Sequence, residues 1–412
     1  MSLGFGPNIS SRSVGLARPK GILNGNAELT VLDSEFITFA ISAEIFGNFL
    51  YVGGAVPRLS IFDISSPDNI ELLFAGTVGP AFSLGFSLSG NVLIGSDAAR
   101  IDLMDVREPS SPTLLSTLPI TGVGVKTYLD GQNLYVRTTT ALLIYDISDP
   151  TNLVLRSTTS IVSGNTFGGV FVINDLCVAM GDERIDFIDV TDPDSPSIVS
   201  SLTTADGLSV GEQPTNNPQG YGRLVFCPTE VSGAINIRII DISDFSAPSI
   251  VGTISGGTVP VFMPFILMPP YLWYSAEISS VTNRFMYDIS DPTTPVEIFR
   301  KEAPSTAIAA LGLAMSGNIE AGAGGSRAWT MEISGEETVN AQFGNLQVGR
   351  ANFLNDSQFQ GKTTYLGSAD FRNQLSAGGD VSTKKNVQAE NEVFAYRDRP
   401  AVRYGLIIGG GS

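Results

Sequence analysis

The residues of this chain best suited to chemistry are carboxylates that recur at a nearly constant interval. They are Asp63, Asp105, Asp146, Asp189, Asp241 and Asp288, with Glu332 at a degenerate seventh position. Repeated carboxylates allow two interpretations: a metal or acid–base site, or turns in which Asp accepts backbone N–H bonds and a following Pro presets φ. A feature present in every repeat is expected to be structural, so we predict the turn role, also for the Asp-Pro pairs at 149–150, 192–193 and 291–292.

The composition excludes several kinds of catalysis. The chain has no histidine, which removes Ser-His-Asp and Cys-His catalysis, imidazole acid–base chemistry and His-ligated metals. Cys177 and Cys227 are predicted to be buried free thiols, with a disulfide as the alternative. The net charge of −17 opposes binding to nucleic acid or to anionic lipid, because both would be repelled. We therefore expect no enzymatic activity, no cofactor and no metal.

The carboxylates mark an internal repeat. Successive marks lie 42, 41, 43, 52, 47 and 44 residues apart, within phrases such as Ile61-Phe-Asp-Ile-Ser-Ser-Pro67 and Ile144-Tyr-Asp-Ile-Ser-Asp-Pro150. A Gly-Asn-like turn and a strand precede most of these phrases, and another strand follows. A period in the forties built of short strands predicts an all-β chain, a β-propeller with one four-stranded blade per repeat and seven blades.

The repeated phrase resembles the LVIVD repeat, which gives its name to a β-propeller family. The resemblance covers roughly residues 37–335, and we place the propeller at 37–340. It implies a fold but no particular chemistry, because propellers carry many functions. Residues 1–36 are expected to form an N-terminal arm that completes the last blade.

Four arginines stand five residues before their acidic marks: Arg58, Arg100, Arg184 and Arg327. We predict that they pair with carboxylates of neighbouring blades. The alternative is a ring of positive charge on one face of the disc.

Two departures from the repeat, the loop 211–222 and the segment 260–274, are candidates for ligand binding. The predicted contact set for a carbohydrate or protein ligand is Asn216, Asn217, Gln219, Tyr221, Tyr271, Trp273 and Tyr274. Aromatic faces stack on ligands, and side-chain amides hydrogen-bond to them. The alternative is that segment 260–274 forms two core strands around a Pro-Pro turn, which we favour for Trp273, and that 211–222 is only a longer loop.

After residue 340 the pattern changes to one aromatic residue in every six: Phe353, Phe359, Tyr365 and Phe371. One large apolar residue per six is too few to enclose a core within one chain, whereas three chains around an axis supply three per layer. Segment 341–378 resembles the β-helical or β-prism shafts of trimeric phage and viral fibres. The resemblance implies a homotrimer with these aromatics at its interface; the alternative is a disordered or hairpin tail.

The tail 379–412 is expected to serve docking or assembly. It is faintly similar to the opening of the self-cleaving chaperone domains of such fibres, although the cleavage serine is absent, through Asp380, Lys384, Asn386 and Val387. It is also basic within an acidic chain, which predicts docking on an acidic partner surface or on the propeller, through Arg397, Arg399 and Arg403.

These features predict a virion structural protein. The expected form is a trimeric fibre, spike or decoration protein on the virion surface, whose propeller binds a host glycan or protein receptor and which contacts other virion proteins. The lack of a classical signal peptide and of an apolar membrane span agrees with this expectation. The alternatives are an exported prokaryotic cell-surface interaction propeller and a propeller glycosidase or lyase that uses a carboxylate pair.

Overall fold

The computed structural model describes residues 28–54, 57–80, 86–97, 99–120, 126–161, 168–258, 264–304, 312–316 and 319–334, together with nine short strands between 350 and 408. The chain divides into two compact bodies, Met1–Val339 and Asn340–Ser412. The predictions for residues 1–27 and for Asp380, Lys384, Asn386, Arg397, Arg399 and Arg403 lie outside the described residues. Within those ranges, no helix has the length and hydropathy of a membrane span.

The first body is built of strands, as the sequence predicts, with a turn of 3-10 helix at Thr204–Asp206. Its strands are β1 (Glu28–Phe46), β2 (Phe49–Gly54), β3 (Leu59–Asp63), β4 (Glu71–Gly76), β5 (Phe86–Ser89), β6 (Val92–Ser96), β7 (Arg100–Asp105), β8 (Thr113–Pro119), β9 (Lys126–Asp130), β10 (Asn133–Arg137), β11 (Ala141–Asp146), β12 (Val154–Ser160), β13 (Val170–Ile173), β14 (Leu176–Gly181), β15 (Arg184–Asp189), β16 (Ser197–Thr203), β17 (Gln213–Pro214), β18 (Gln219–Tyr221), β19 (Leu224–Val231), β20 (Ala234–Asp241), β21 (Ser249–Thr258), β22 (Phe265–Met268), β23 (Tyr271–Ile278), β24 (Val281–Asp288), β25 (Val296–Glu302), β26 (Gly312–Ser316) and β27 (Ile319–Ser334). Glycine at positive φ closes tight hairpins, such as Gly131 at φ 60° between β9 and β10.

The strands pair antiparallel into units that repeat along the chain. The sets β5–β8, β9–β12 and β13–β16 each form a four-stranded sheet with the strands in chain order. The sets β17–β21 and β22–β25 form the next two units, which are joined through Thr258 and Glu277. The first strands of neighbouring units lie beside one another, so the units stand side by side along their inner strands.

One further unit combines the two ends of this body. Residues 320 and 329 of a straight strand would lie about 30 Å apart, yet Trp329 Nε1 is 3.4 Å from Glu320 Oε1. The strand β27 therefore folds back on itself: its first arm pairs with β26, and its second arm pairs with residues 28–36 of β1. We call β26, both arms of β27 and residues 28–36 the closing unit. The rest of β1 pairs with β2 and begins the first unit, β1–β4.

Every outer strand carries a β-bulge at the same register. The extra residue is Leu73, Leu115, Arg156, Val199, Val251 or Ile298 and, in the closing unit, Leu32. A bulge bends the strand and redirects the side chain that follows it. The bulge therefore sets which side chain of the outer strand meets the neighbouring unit.

At three interfaces the residue after the bulge is a serine that bonds to the turn following the repeated phrase in the next unit. Hydroxyl donors and carbonyl acceptors pair at 2.7, 2.7 and 2.6 Å: Ser116 with Pro150, Ser157 with Pro193, and Ser200 with Phe245. In the closing unit this position is Asp33, whose carboxylate accepts the N–H of Ile70 in the first unit at 2.7 Å. Thr330 of the closing unit also donates to the carbonyl of Pro67. The serine contact thus joins several successive units, and two different bonds at the equivalent place join the closing unit to the first.

The core lies between neighbouring units. In β10, Leu134, Tyr135, Val136 and Arg137 are all buried, because facing units cover both sides of the strand. Burial on both sides removes the apolar–polar alternation of a half-exposed strand. The central strands therefore appear in the sequence as continuous apolar runs.

The second body is a parallel ladder with a repeat of eighteen residues. Its strands are β28 (Arg350–Phe353), β29 (Ser357–Phe359), β30 (Thr363–Tyr365), β31 (Ser368–Phe371), β32 (Leu375–Ala377), β33 (Val381–Thr383), β34 (Val387–Ala389), β35 (Val393–Ala395) and β36 (Leu406–Ile408). From β28 to β35 consecutive strands fall in rotation into three sheets, and β36 joins the first of them: β28-β31-β34-β36, β29-β32-β35 and β30-β33. The aromatic residues Phe353, Phe359, Tyr365 and Phe371 end β28, β29, β30 and β31.

A single chain forms this ladder. Residue 353 pairs with residue 371, and residue 365 pairs with residue 383, so each strand has a neighbour from its own chain. The backbone bonds of the ladder are thus made within one chain, because three successive strands complete each turn. The argument that one chain cannot enclose a core here is not tested by the pairing. The homotrimer and the interface role of the four aromatics stay predictions.

The tightest contact between units generates a stability prediction. Gly252 follows the bulge of β21, and a Cβ added there would lie 2.0 Å from the carbonyl oxygen of Pro292. We expect Gly252→Ala to lower the free energy of unfolding by about 3 kcal/mol, because the neighbouring backbone must shift. Ser157→Ala at the equivalent position should lower it by about 1 kcal/mol, the contribution of one hydrogen bond. Urea unfolding measures both losses, and equal losses would contradict the close packing at Gly252.

Candidate functional site

Gln219, a predicted ligand contact, instead connects two units. Its Nε2 donates to the carbonyl of Phe265 at 2.8 Å, and its Oε1 accepts the N–H of Leu267 at 3.0 Å. The side chain is buried between these partners. The ligand-binding prediction is therefore wrong for Gln219, because its amide replaces a strand partner for the backbone of β22.

Asn216, Asn217 and Tyr221 lie in the same segment and are half-buried. Asn217 accepts the N–H of Val170 at 3.1 Å, so its carbonyl group is used within the protein. The Tyr221 ring stacks on that of Phe226 with 6.0 Å between centroids, and burial raises the pKa of its hydroxyl. Part of each side chain still faces solvent, and a ligand-binding role for these three stays a prediction.

The aromatic segment belongs to the core. Tyr271, Trp273 and Tyr274 are buried, and Trp273 Nε1 donates to Glu320 Oε2 at 2.8 Å. The Tyr274 ring lies on the Phe285 ring with 4.6 Å between centroids. The prediction that these three aromatics contact a ligand is wrong, because no ring face is exposed. The alternative, two core strands around a Pro-Pro turn, is confirmed by the pairing of β22 with β23.

Sequence reasoning missed Glu212, which anchors the long connection between β16 and β19. Its carboxylate is buried and accepts four hydrogen bonds at 2.6 to 2.8 Å, from the Ser209 N–H, the Thr229 hydroxyl, and Nε and Nη2 of Arg238. Burial raises the pKa of Glu212, but the hydrogen bonds from Arg238, Thr229 and Ser209 together outweigh it, so the pKa lies below its usual value. The connection is thus held in one conformation. At its tip Val210 is 81% exposed.

The repeated aspartates have the structural role predicted from the sequence. Each accepts the backbone N–H two residues later at 2.8 to 3.0 Å: Asp63, Asp105, Asp146, Asp189, Asp241 and Asp288. The second aspartates of the phrase do the same; Asp149, for example, accepts the Thr151 hydroxyl and N–H. These bonds lower the pKa of Asp149. The prediction that these carboxylates shape turns is confirmed.

Two of the four repeated arginines, Arg100 and Arg184, pair with a carboxylate of their own strand, so the prediction of partners in neighbouring blades is wrong for these two. Arg100 Nη2 lies 3.1 Å from Asp102, and Arg184 Nε lies 2.7 Å from Asp186, two residues further along the strand. Residues i and i+2 of a strand share a face, which brings the partners together. Arg327 donates to the Ser34 hydroxyl at 3.0 Å.

A cluster of charges, which we call the Lys126 cluster, comprises the buried Lys126 and Arg137 and the half-buried Glu44. Lys126 begins the inner strand β9 and pairs with Arg137 across β9 and β10. Burial lowers the pKa of Lys126 to about 8, although the Glu44 carboxylate raises it part of the way back. Burial also lowers the pKa of Arg137 to about 10, against the opposing effect of Asp182 and Asp186. The guanidinium packs on Gly168, where a Cβ would lie 2.1 Å from Arg137 Cζ.

The Lys126 cluster limits the chemistry available to this protein. An amine with a pKa of about 8 is partly neutral near physiological pH and is a competent nucleophile or base. Lys126 is only 3% exposed, however, and a substrate needs access that this position does not provide. Within the described ranges, no group of three or more acidic, cysteine or histidine side chains is arranged to hold a metal. Cys177 and Cys227 are buried free thiols, as predicted, and burial raises the pKa of both.

The family comparison agrees with the repeat found in the sequence. The LVIVD repeat family matches residues 40–75, 128–159, 174–204 and 236–255, which confirms the resemblance over residues 40–255. No curated protein matches the chain.

Solved structures of similar fold include a computationally designed protein, Ika8. It is 11% identical to this chain, with a TM-score of 0.50, over 74% of this chain and 100% of its own. A functionally unknown protein from Desulfotomaculum acetoxidans has a TM-score of 0.49 and 11% identity, over 68% of this chain and 99% of its own. A candidate 6-phosphogluconolactonase from Bacteroides fragilis has a TM-score of 0.48 and 12% identity, over 68% and 98%. The similarity to Ika8 concerns the fold alone, and we draw no conclusion about fold or function from the other two structures.

Lys126 generates a prediction of pH-dependent stability. Its pKa is about 8 in the folded protein against an ordinary value of 10.5, so between these pH values the unfolded state holds more protons. Stability therefore rises with pH across this window, and the cost of the buried charge, about 3 kcal/mol, is present in full below pH 8. We expect Lys126→Met to raise the free energy of unfolding at pH 7 by about that amount.

The measurement is urea unfolding of the wild type and the variant from pH 7 to 10.5. The stability difference should shrink as the pH rises. Lys301→Met, at a half-buried lysine of β25, is the control for the loss of a lysine side chain as such. A constant difference for Lys126→Met would show that its charge is not the origin of the effect.

Proposed function

We propose that this LVIVD-repeat β-propeller is a virion structural protein, a trimeric spike, fibre or decoration protein at the virion surface. Its propeller is a recognition head for a glycan or protein of the host surface. The observation that carries the proposal is the combination, in one chain, of a repeat-built body with a separate ladder of short strands on three sheets. A three-sided ladder suits a stalk, because it gains length by repetition and needs no catalytic group.

In this proposal the propeller has seven blades. Six are the units β1–β4, β5–β8, β9–β12, β13–β16, β17–β21 and β22–β25, and the seventh is the closing unit. The bond from Asp33 of the closing unit to Ile70 of the first unit supports a closed ring. Closure by an N-terminal strand also covers sheet edges that would otherwise remain open.

The recognition surface that we propose is the connection between β16 and β19. Glu212 holds this connection in place before any partner arrives, which lowers the ordering entropy lost on binding. It presents the exposed Val210, and Asn216, Asn217 and Tyr221 keep part of their surface available. Aromatic and amide groups on a fixed loop suit a sugar or a protein surface.

Trimerisation strengthens weak recognition. Three heads on one stalk convert later contacts into intramolecular ones and multiply the affinity of a single contact by about 10² or more. The aromatic residues at the ends of β28 to β31 are the proposed interface. The stalk or its tail would then contact other virion proteins. We propose no membrane insertion and no nucleic-acid partner, in keeping with the charge of −17.

We assign no enzymatic activity to the propeller. The repeated carboxylates are engaged in turns, histidine is absent from the sequence, and Lys126 is nearly inaccessible. The first observation bears on the carboxylates that a glycosidase would use, and the other two concern bases that a lyase could use. No cofactor is part of the proposal.

The oligomeric state of the full chain tests the stalk. We expect light scattering after size exclusion to give three times the chain mass of 43.6 kDa. Changing Phe353, Phe359, Tyr365 and Phe371 together to Ser should give the monomer. The matched control changes the residue before each aromatic, Asn352, Gln358, Thr364 and Asp370, to Ser and should stay trimeric. A monomeric wild type would contradict the trimer.

The location of the protein tests the biological part of the proposal. Mass spectrometry of purified virus particles should detect the chain in fixed ratio to known structural proteins. Detection in a prokaryotic cell envelope, and not on particles, would favour the exported surface protein instead. Hydrolysis of a glycan bound in an array screen would contradict the assignment of a binding head without activity.

A further inference from the structure

One interface between units differs in kind from all the others. The residue four positions before each acidic mark packs against one residue of the next unit. That residue is the second one of β6, β10, β14, β19, β23, β27 or β2, depending on the unit. At six interfaces both residues are apolar or cysteine and share a buried cluster: Leu59 and Leu93, Ile101 and Leu134, Leu142 and Cys177, Ile185 and Val225, Ile237 and Leu272, Ala328 and Leu50. Between the sixth unit and the closing unit, the same two positions hold Arg284 and Glu320.

This charged pair is completely buried. The side chains of Arg284 and Glu320 are both 0% exposed, and Nη2 lies 2.8 Å from Oε1. Arg284 Nε lies 3.0 and 2.9 Å from the two carboxylate oxygens. Trp273 Nε1 donates to Glu320 at 2.8 Å, and Arg284 Nη1 donates to the Ser275 hydroxyl at 2.8 Å. Hydrogen bonds therefore surround both charges at the interface.

A buried pair of this kind is a weak source of stability but a strong source of discrimination. Desolvation offsets most of the attraction, so apolar residues of similar size often stabilise an interface equally well. Removing either partner leaves a buried charge without its counter-ion, which is strongly unfavourable. Arg284 is thus compatible with Glu320 and incompatible with the apolar residues found at that position in every other unit.

The repeats make such discrimination necessary. All units share one interface geometry, so the sixth unit can also dock directly onto the first and exclude the closing unit. That contact would place Arg284 against Leu50, which is fully buried in its own interface. The closing unit is the one at risk, because it forms only when the two ends of the propeller meet.

We propose that the Arg284–Glu320 pair specifies ring closure: it admits the closing unit after the sixth unit and rejects the first unit, or a unit of another copy, at that position. This role is independent of what the propeller recognises and of any trimer. With the wrong partner the buried charge would lack its counter-ion, which penalises that contact.

The test reads closure through a disulfide. Thr30 and Glu332 lie directly opposite each other in β1 and β27, so Thr30→Cys/Glu332→Cys provides a cross-strand pair within the closing unit. The full chain is unfolded, refolded under reducing conditions and then oxidised. After denaturation, free thiols receive a maleimide mass tag, and the products are separated on a non-reducing denaturing gel, which dissolves any non-covalent trimer.

The products distinguish the closures. A correctly closed chain is a monomer with two tags, on Cys177 and Cys227. A chain whose closing unit is left out is a monomer with two further tags. A chain completed by another copy is a disulfide-linked multimer. In the reporter background we expect almost all of the first product.

Removing both charges should relax closure. We expect Arg284→Met/Glu320→Gln, which keeps an acceptor for Trp273, to increase the second and third products about tenfold, the ratio given by 1.4 kcal/mol of lost discrimination. Leu134→Ala is the matched control: it weakens the interior at the position equivalent to Glu320 and should leave closure correct. If the neutral variant does not refold, Arg284→Leu/Glu320→Leu places the residue type of the other repeats at both sites. Correct closure in whichever neutral variant refolds, at every protein concentration, would overturn the proposal.

Discussion

The packing of the units depends on one recurring contact, that between the residue after the bulge and the turn of the next unit. It is a serine hydroxyl on a turn carbonyl at three interfaces, and the close approach of Gly252 to Pro292 at a fourth. In the turn at 149–152, Asn152 donates to Asp149, and the carbonyl of Pro150 points away from the turn. A partly buried carbonyl needs a donor, and Ser116 of the preceding unit provides it. The aspartate, the proline and the bulge therefore act together. A change at any of the three would disturb the neighbouring unit as well as its own.

Two buried charges in this propeller illustrate opposite uses of burial. Arg284 has its counter-ion and its hydrogen bonds within the interface, and it discriminates between partners. Lys126 has a lowered pKa because Glu44 only partly offsets the loss of hydration. The Arg284 arrangement contributes little to the stability of the correct structure, but it is unfavourable in an incorrect one. The second is unfavourable in the correct structure at neutral pH.

Much of the fold could be predicted from sequence because the repeat is local. The turn aspartates, such as Asp149, act within two residues of themselves, so their type and spacing were sufficient. Tyr274 was different. Strands covered on both sides carry no alternation, so nothing in the sequence shows that another unit covers its ring.

Contacts between distant residues had no sequence signal at all. Arg284 and Glu320 are 36 positions apart, and their meeting depends on the packing of whole units. Glu212 lies in a polar loop, where a single glutamate is unremarked. The Arg284–Glu320 pair and Glu212 become recognisable once the repeats are superposed by register. The other units hold apolar residues or cysteine at the positions of the pair, and they lack the long connection that contains Glu212.

The ladder of the second body has a consequence for how such a segment can change length. From β28 to β35, each strand pairs with the strand eighteen residues later, and two strands lie between the partners along the chain. An insertion of one six-residue repeat, a strand with its turn, would move every later strand onto the next sheet. The pairs between strands on either side of the insertion would then be lost. An insertion of a whole turn would leave each strand on its own sheet. The number of strands can therefore change only by three at a time, which is one complete turn of the ladder.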